Sequence, residues 1–208
     1  MAAGAGSGTR EALLEAAASL LAEKGFETVS VREITGLAQA NVASVNYHFG
    51  SRDGLIDAVV EKMTDPVNRE RLERIDGLEA AGEPTVRQLL EAFFDPLFAK
   101  IQGSPMTKNL FVKLMGRMVG DRPYQFSDDV MAQFRTVARR FVQAFINACP
   151  GLTPEDVFWR IHFSFGVMSN TLTHRDLLTK VSEGMVNEED LEVTMTRVLD
   201  FCEAGFKR

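Results

Sequence analysis

The chain has only two cysteines, Cys149 and Cys202, far apart in sequence. They exclude a disulfide framework and suit a reducing cytoplasmic setting. Three scattered histidines and no metal-spaced cluster argue against a metal centre. No Gly-rich phosphate loop and no Ser-His-Asp context is present, so the chain reads as a non-enzyme with no cofactor. No apolar run approaches the roughly 18 residues of a membrane span. The leading 1–8 segment has neither a basic start nor an apolar stretch, so it reads as a flexible arm and not a signal peptide. Alternating strand patterns are absent, which leaves an all-α fold. Basic charge is also short: 23 Lys and Arg face 29 Asp and Glu, a formal charge of -6. A protein that holds polyanions by a broad basic field is thereby excluded.

What is present is helical punctuation. Thr9 to Lys24 carries an apolar stripe of Leu13, Ala16, Ala17, Leu20 and Leu21, with Gly25 as a natural stop. Ser30 and Glu33 have the spacing of a capping box, so a short helix starts near Val31. The GLAQAN segment then offers a bend. Asn41 is a good cap for a second short helix, Val42 to Tyr47, in which Val45 and Phe49 point inward. Val42, Ala43, Ser44, Asn46, Tyr47 and His48 are left facing outward. Ser51 can cap a third helix from Arg52, with Leu55, Ile56, Val59 and Val60 on one face. Asp65-Pro66 should kink or break that helix, and the charged run VNRERLERIDGLEAAGE beyond it reads as a solvated face or connector. Gly82 and Pro84 mark the next boundary.

Two short helices joined by a tight turn form a helix-turn-helix, whose second helix can enter the major groove of DNA. The string VNYHFGSRDGLIDAVV resembles the signature of TetR-family transcriptional regulators. That resemblance implies a three-helix DNA-binding domain over 9–54, and a larger helical effector-binding and dimerisation domain over 55–208. It implies DNA contacts from Arg32, Asn41, Val42, Ala43, Ser44, Asn46, Tyr47, His48 and Arg52. The side chains suit the role: Asn46 can pair with adenine, Val42 or Ala43 can meet a thymine methyl, and Tyr47, His48 and Arg52 suit phosphate. From Gly36 to Gly50 there is no acid. Gln39 stands where the family often has Gly, so a positive backbone angle there would be strained.

Beyond Thr85 the apolar residues recur at helical spacing. Thr85 to Gln102 contains Pro96, where a kink is expected. Lys108 to Val119, Ser127 to Ala148, a helix launched by Thr153-Pro154-Glu155-Asp156, and Glu188 to about Ala204 follow. The Thr153 helix has two apolar stripes and so should be buried on two sides. The resemblance implies that it and the last helix pair with a second copy, with Gly166 permitting close approach. Fifteen Phe and nine Met make adaptable apolar surfaces. The expected effector contacts are Phe94, Phe98, Phe111, Met115, Arg117, Met118, Phe141, Trp159 and Phe163, with Arg117 as an anchor for an anionic head.

The strings ITGLAQANVASVNYHFGSRDGLIDAV and FWRIHFSFG are similar to the PsrA-type subset of the family, implying a fatty acid or acyl-CoA effector. The expected partners are therefore a double-stranded operator, a small apolar effector and a second copy. Alternatives are an efflux-type drug sensor, for which Asp95 is the acid best embedded in an apolar helix, and a helical protein-protein adaptor.

Overall fold

Helix ends fall where cap residues stand. In the computed structural model, which describes residues 3–101, 105–120, 124–186 and 190–207, all regular structure among those residues is helical: α1 (Ala3–Lys24), α2 (Val31–Leu37), α3 (Val42–Phe49), α4 (Arg52–Ala81), α5 (Val86–Ile101), α6 (Pro105–Gly120), α7 (Asp128–Ala148), α8 (Pro154–Thr173), α9 (Arg175–Val181) and α10 (Leu191–Phe206). Thr85 and Gln88 cap each other at the start of α5. Thr153 and Asp156 close a capping box at α8. The Asp190 carboxylate accepts from the Glu192 and Val193 amides at α10. Gln102 and Glu188, expected at helix ends, lie outside the described residues.

Three expectations are corrected. The arm expected over 1–8 is helical from Ala3: adding residues to a helix already nucleated avoids the nucleation cost, although Gly4, Gly6 and Gly8 disfavour it. Helix α4 runs through Pro66 without a break. Val67, Asn68, Arg71 and Ile75 continue a buried stripe beyond the proline, so packing outweighs one lost backbone bond. The charged run is thus one helix with a buried seam and not a connector. α9 was not anticipated.

The chain forms two compact units, Met1–Val67 with Lys100–Phe134, and Asn68–Ala99 with Arg135–Arg208. They do not part at residue 54, where the sequence reading placed its boundary. In the first unit the core joins Leu13, Ala17 and Leu21 of α1 to Phe26, Ile34, Val45, Leu55, Ile56 and Val60, and also to Leu114 of α6 and Val130 of α7. The last two are apolar side chains that α1 and α4 need for closure, which is why α6 belongs with the head. Tyr124 and Phe126 pack their rings on Phe26 at 5.6 and 5.8 Å.

In the second unit α8 packs on α10. Phe145 stacks on Phe206 at 4.5 Å, and Phe93 meets Phe94 and Phe141 at 5.0 Å each. Arg140 joins α7 to the second half of α4 through Asp76 at 2.7 Å and Glu79 at 2.6 Å. Arg87 joins α5 to α10 through Asp200 at 2.6 Å.

Candidate nucleic-acid interface

The head is set by its caps. The Ser30 hydroxyl accepts from the Glu33 amide at 3.3 Å, and the Glu33 carboxylate accepts from the Ser30 amide at 2.9 Å. The same carboxylate takes the Lys24 ammonium at 2.6 Å, which ties the end of α1 to the start of α2. These contacts, led by Lys24, hold the Glu33 carboxyl down at about 2. The chain then turns within four residues. Ala38 and Ala40 donate back to Ile34 and Thr35, each at 2.9 Å. Gln39 between them sits at φ 51, the positive angle that suits glycine and strains another residue. Asn41 caps α3 by accepting from the Ser44 amide at 2.8 Å and the Ser44 hydroxyl at 3.0 Å.

Val45 anchors α3 in the core with Phe49 packed beside it, and the opposite face of the helix is exposed. Arg32, Asn41, Val42, Ala43, Asn46 and Tyr47 are exposed, Ser44 and His48 half-buried. Tyr47 is 84% exposed, with its ring edge-on to His48 at 4.9 Å. A tyrosine held this far out of a folded head offers its hydroxyl and its ring to a partner. Arg10 of α1 lies over the Phe49 ring at 5.3 Å, a cation at the end of α3 that sequence reading did not nominate.

Two residues after α3 fix its angle to α4. Gly50 takes φ 76, a left-handed cap. At Gly54 a Cβ would stand 2.2 Å from the Phe49 carbonyl oxygen, so only glycine permits this approach.

Arg52 departs from expectation. Its Nε donates to the Val29 carbonyl at 2.7 Å, its Nη2 to the Phe26 carbonyl, and its Nη1 to Asp53 at 3.0 Å. The guanidinium is spent inside the head, tying the loop before α2 to the start of α4. It is not held out toward phosphate. Asp53 also accepts from the Tyr124 hydroxyl at 2.8 Å; burial and this contact raise the Tyr124 pKa.

The expected effector residues divide between the two units. Met115, Arg117, Met118 and Phe111 belong to the first unit, Phe94, Phe98, Phe141, Trp159 and Phe163 to the second. Arg117 donates to the Glu23 carbonyl at 2.8 Å, and Met118 packs against the head core. Phe111 lines a cavity of about 570 Å³ between α1, α4 and α6, floored by Leu14, Val59 and Leu114 and edged by Lys62 and Lys113. Phe94, Phe98 and Phe141 are buried. Trp159 and Phe163 are exposed and stack on each other at 5.5 Å. Two-sided burial of α8 is therefore not met within one chain.

Two family models fall on this architecture. Residues 13–59 match the family described as bacterial regulatory proteins, tetR family, and residues 91–205, more than half of the chain, match the tetracyclin repressor-like C-terminal domain. The chain belongs to the TetR family. It is 32% identical over 89 residues to the probable HTH-type transcriptional regulator YttP of Bacillus subtilis, covering 43% of this chain and 42% of that protein. It is 25% identical over 130 residues to the HTH-type transcriptional repressor KstR2 of Rhodococcus jostii, covering 62% and 61%. The chain thus spans between two and three fifths of these relatives.

Among solved structures, a TetR-family regulator from Rhodococcus sp. aligns over 97% of this chain and 100% of its own, at 18% identity and TM-score 0.56. SmeT, the repressor of the Stenotrophomonas maltophilia multidrug efflux pump SmeDEF, aligns over 94% and 88%, at 19% identity and TM-score 0.62. At these identities the likeness shows the TetR fold alone. The sequence relatives are named as regulators and repressors. No helix among the described residues is long and apolar enough to cross a membrane.

Proposed function

We propose that this TetR-family chain is a ligand-responsive repressor, released from a palindromic operator by a small apolar effector such as a fatty acid or acyl-CoA, as in the PsrA-like subset. The observation that carries the DNA half is the outward face of α3, capped by Asn41 and anchored by Val45, with Tyr47 exposed. Asn41, Val42, Ala43, Asn46 and Tyr47 are the proposed contacts, with Ser44 and His48 at their edge and Arg32 toward phosphate. Arg32 is exposed and makes no ion pair among the described residues. Arg52 holds the head and does not touch DNA.

Dimerisation supplies what one short helix lacks. Trp159, Phe163 and Phe201 are exposed on α8 and α10, and Gly166 faces open space. A second copy would cover them, and paired heads then read two half-sites. Helix α4 contributes to both units, so an effector with different affinity for two states can bias the heads through it.

The efflux-type reading, suggested by the fold likeness to SmeT, is less favoured. Asp95, its best cation anchor, already binds Arg74 at 3.0 Å. The test is operator affinity by fluorescence anisotropy, with and without saturating acyl effector. Release by acyl chains supports the reading; unchanged affinity, or no operator found in the chain's own upstream DNA, rejects it.

A further inference from the structure

Three arginines of the second unit pair with carboxylates: Arg74 with Glu70 and Asp95, Arg87 with Glu91 and Asp200, Arg140 with Asp76 and Glu79. Arg71 is the contrast. It is 8% exposed, in the buried seam of α4, and has no carboxylate partner among the described residues. Its Nε donates to the Phe93 carbonyl at 2.7 Å, and its Nη1 to Asn68 Oδ1 at 3.2 Å. The Phe93 ring lies 4.0 Å from the guanidinium carbon. Burial pushes the guanidinium down to about 9, so it remains charged at neutral pH.

Two buried donors are left over. Arg71 Nη2 and Asn68 Nδ2 have no hydrogen-bond partner among the described residues. Asn68 is 7% exposed, and because its oxygen is committed to Arg71, its amide nitrogen can only offer hydrogens. Orphaned buried donors beside an unneutralised buried cation are costly, and natural cores rarely keep them without reason. Both want an acceptor, and the cation wants a negative charge.

We propose that Asn68 and Arg71 are the anion-recognition centre of the second unit, receiving the carboxylate of an otherwise apolar ligand. A carboxylate is an acceptor-only group with two oxygens, so it can take Nη2 and Nδ2 together. Its single negative charge matches the single guanidinium, whereas a phosphate dianion would leave one charge buried and uncompensated. Phe94 and Phe141 pack around Phe93 at 5.0 Å and supply aromatic surroundings for an apolar body. This inference rests on the effector reading above, names the anchor for it in place of Arg117, and selects the free acid over acyl-CoA, whose thioester has no carboxylate.

The experiment is thermal unfolding of the full chain against matched ligands: straight-chain and aromatic carboxylates, their alcohols and methyl esters, and inorganic phosphate and chloride at equal ionic strength. The expected result is a rise of about 5 °C or more at a hundredfold excess over the dissociation constant, for a carboxylate but not its neutral partners. Arg71→Met should abolish the response while far-UV circular dichroism shows the chain still helical. Asn68→Leu should fold and weaken the response about tenfold in affinity. The proposal is overturned if no carboxylate stabilises the protein, if neutral analogues or inorganic ions stabilise it equally, or if folded Arg71→Met responds to a carboxylate as the parent does. Operator release is scored separately. Carboxylate binding with no change in operator affinity keeps this centre and rejects the effector reading; release with no dependence on Arg71 does the reverse.

Discussion

Replacing Arg52 by Ala separates two roles that its position in the sequence makes look alike. Its side chain is 26% exposed and donates to the carbonyls of Phe26 and Val29, residues that are otherwise buried. Hydrogen bonds from a charged donor contribute about 1.5–3 kcal/mol each, and a buried carbonyl left without its partner adds a desolvation cost. The Asp53 contact is at the surface and adds little. With a discount for the exposed part of the guanidinium, the loss is about 3 kcal/mol. For a chain of this size that corresponds to a melting point lower by about 6–12 °C. Arg52→Lys should recover little, since a point charge cannot reproduce the fork. Circular dichroism melts measure this, and anisotropy titrations over a range of salt measure the other role. A phosphate contact would leave the melting point alone and lower the salt slope by about one. An unchanged melting point with a reduced slope therefore refutes the strut and restores Arg52 to the DNA face.

Gly54→Ala brings a Cβ to 2.2 Å from the Phe49 carbonyl oxygen; α3 must shift, and the melt should drop by more than for Arg52→Ala, with operator binding lost even in the folded fraction. Glu33 is held at about 2 in the folded chain against an ordinary 4.5, so its contribution is complete above pH 4.5 and is lost as pH falls toward 2. Urea midpoints at pH 5.5 and 3 should show a steeper acid loss for the parent than for Glu33→Gln, and equal losses would contradict the assignment. Phe163→Arg puts a charge into the exposed aromatic face of α8 and should give monomers by sedimentation velocity with helicity unchanged; a persistent dimer places the interface elsewhere. Asn46→Ala should cost about 1–3 kcal/mol on the cognate operator and relax the preference at one base pair, which a substituted-operator series reads directly.

The turns were legible because their chemistry is local. Ser30 with Glu33, Asn41, Gly82 before Pro84, and Thr153 with Asp156 each satisfy backbone groups within three or four residues, so composition and spacing suffice. Gln39 was readable in the same way, as a side chain standing where the backbone wants glycine. Pro66 was misleading because its local penalty is real but small beside a seam of apolar residues that continues past it. The buried Arg71 was hidden by its neighbours: in VNRERLERIDG the charges look solvated, and only stepping by four from Val67 to Arg71 to Ile75 reveals one arginine in line with the core. Arg52 was harder still. Its partners are backbone carbonyls 23 and 26 residues away, and no pattern in the side chains announces them. The same holds for α6, whose attachment to the head depends on which apolar faces meet.

Under the proposed function a chain of charge -6 meets a polyanion, and the head answers by local pairing. The two acids nearest the reading segment in sequence are Glu33 and Asp53. Glu33 is bound by Lys24 and Ser30, Asp53 by Arg52 and Tyr124, and the stretch between Gly36 and Gly50 holds none. Each carboxylate is thus paired at the surface of the head, Glu33 linking α1 to α2 and Asp53 linking α4 to the Tyr124 segment. The repulsion left at the α3 face is smaller than the formal total implies, because exposed charges farther than about 8–10 Å are screened at physiological salt. Breaking either pair would then act twice, loosening the head and releasing a negative charge beside the reading face. Lys24→Ala should accordingly weaken operator binding more at low salt than at high salt, although Lys24 is not among the proposed DNA contacts; an effect independent of salt would mean that only the loosening matters.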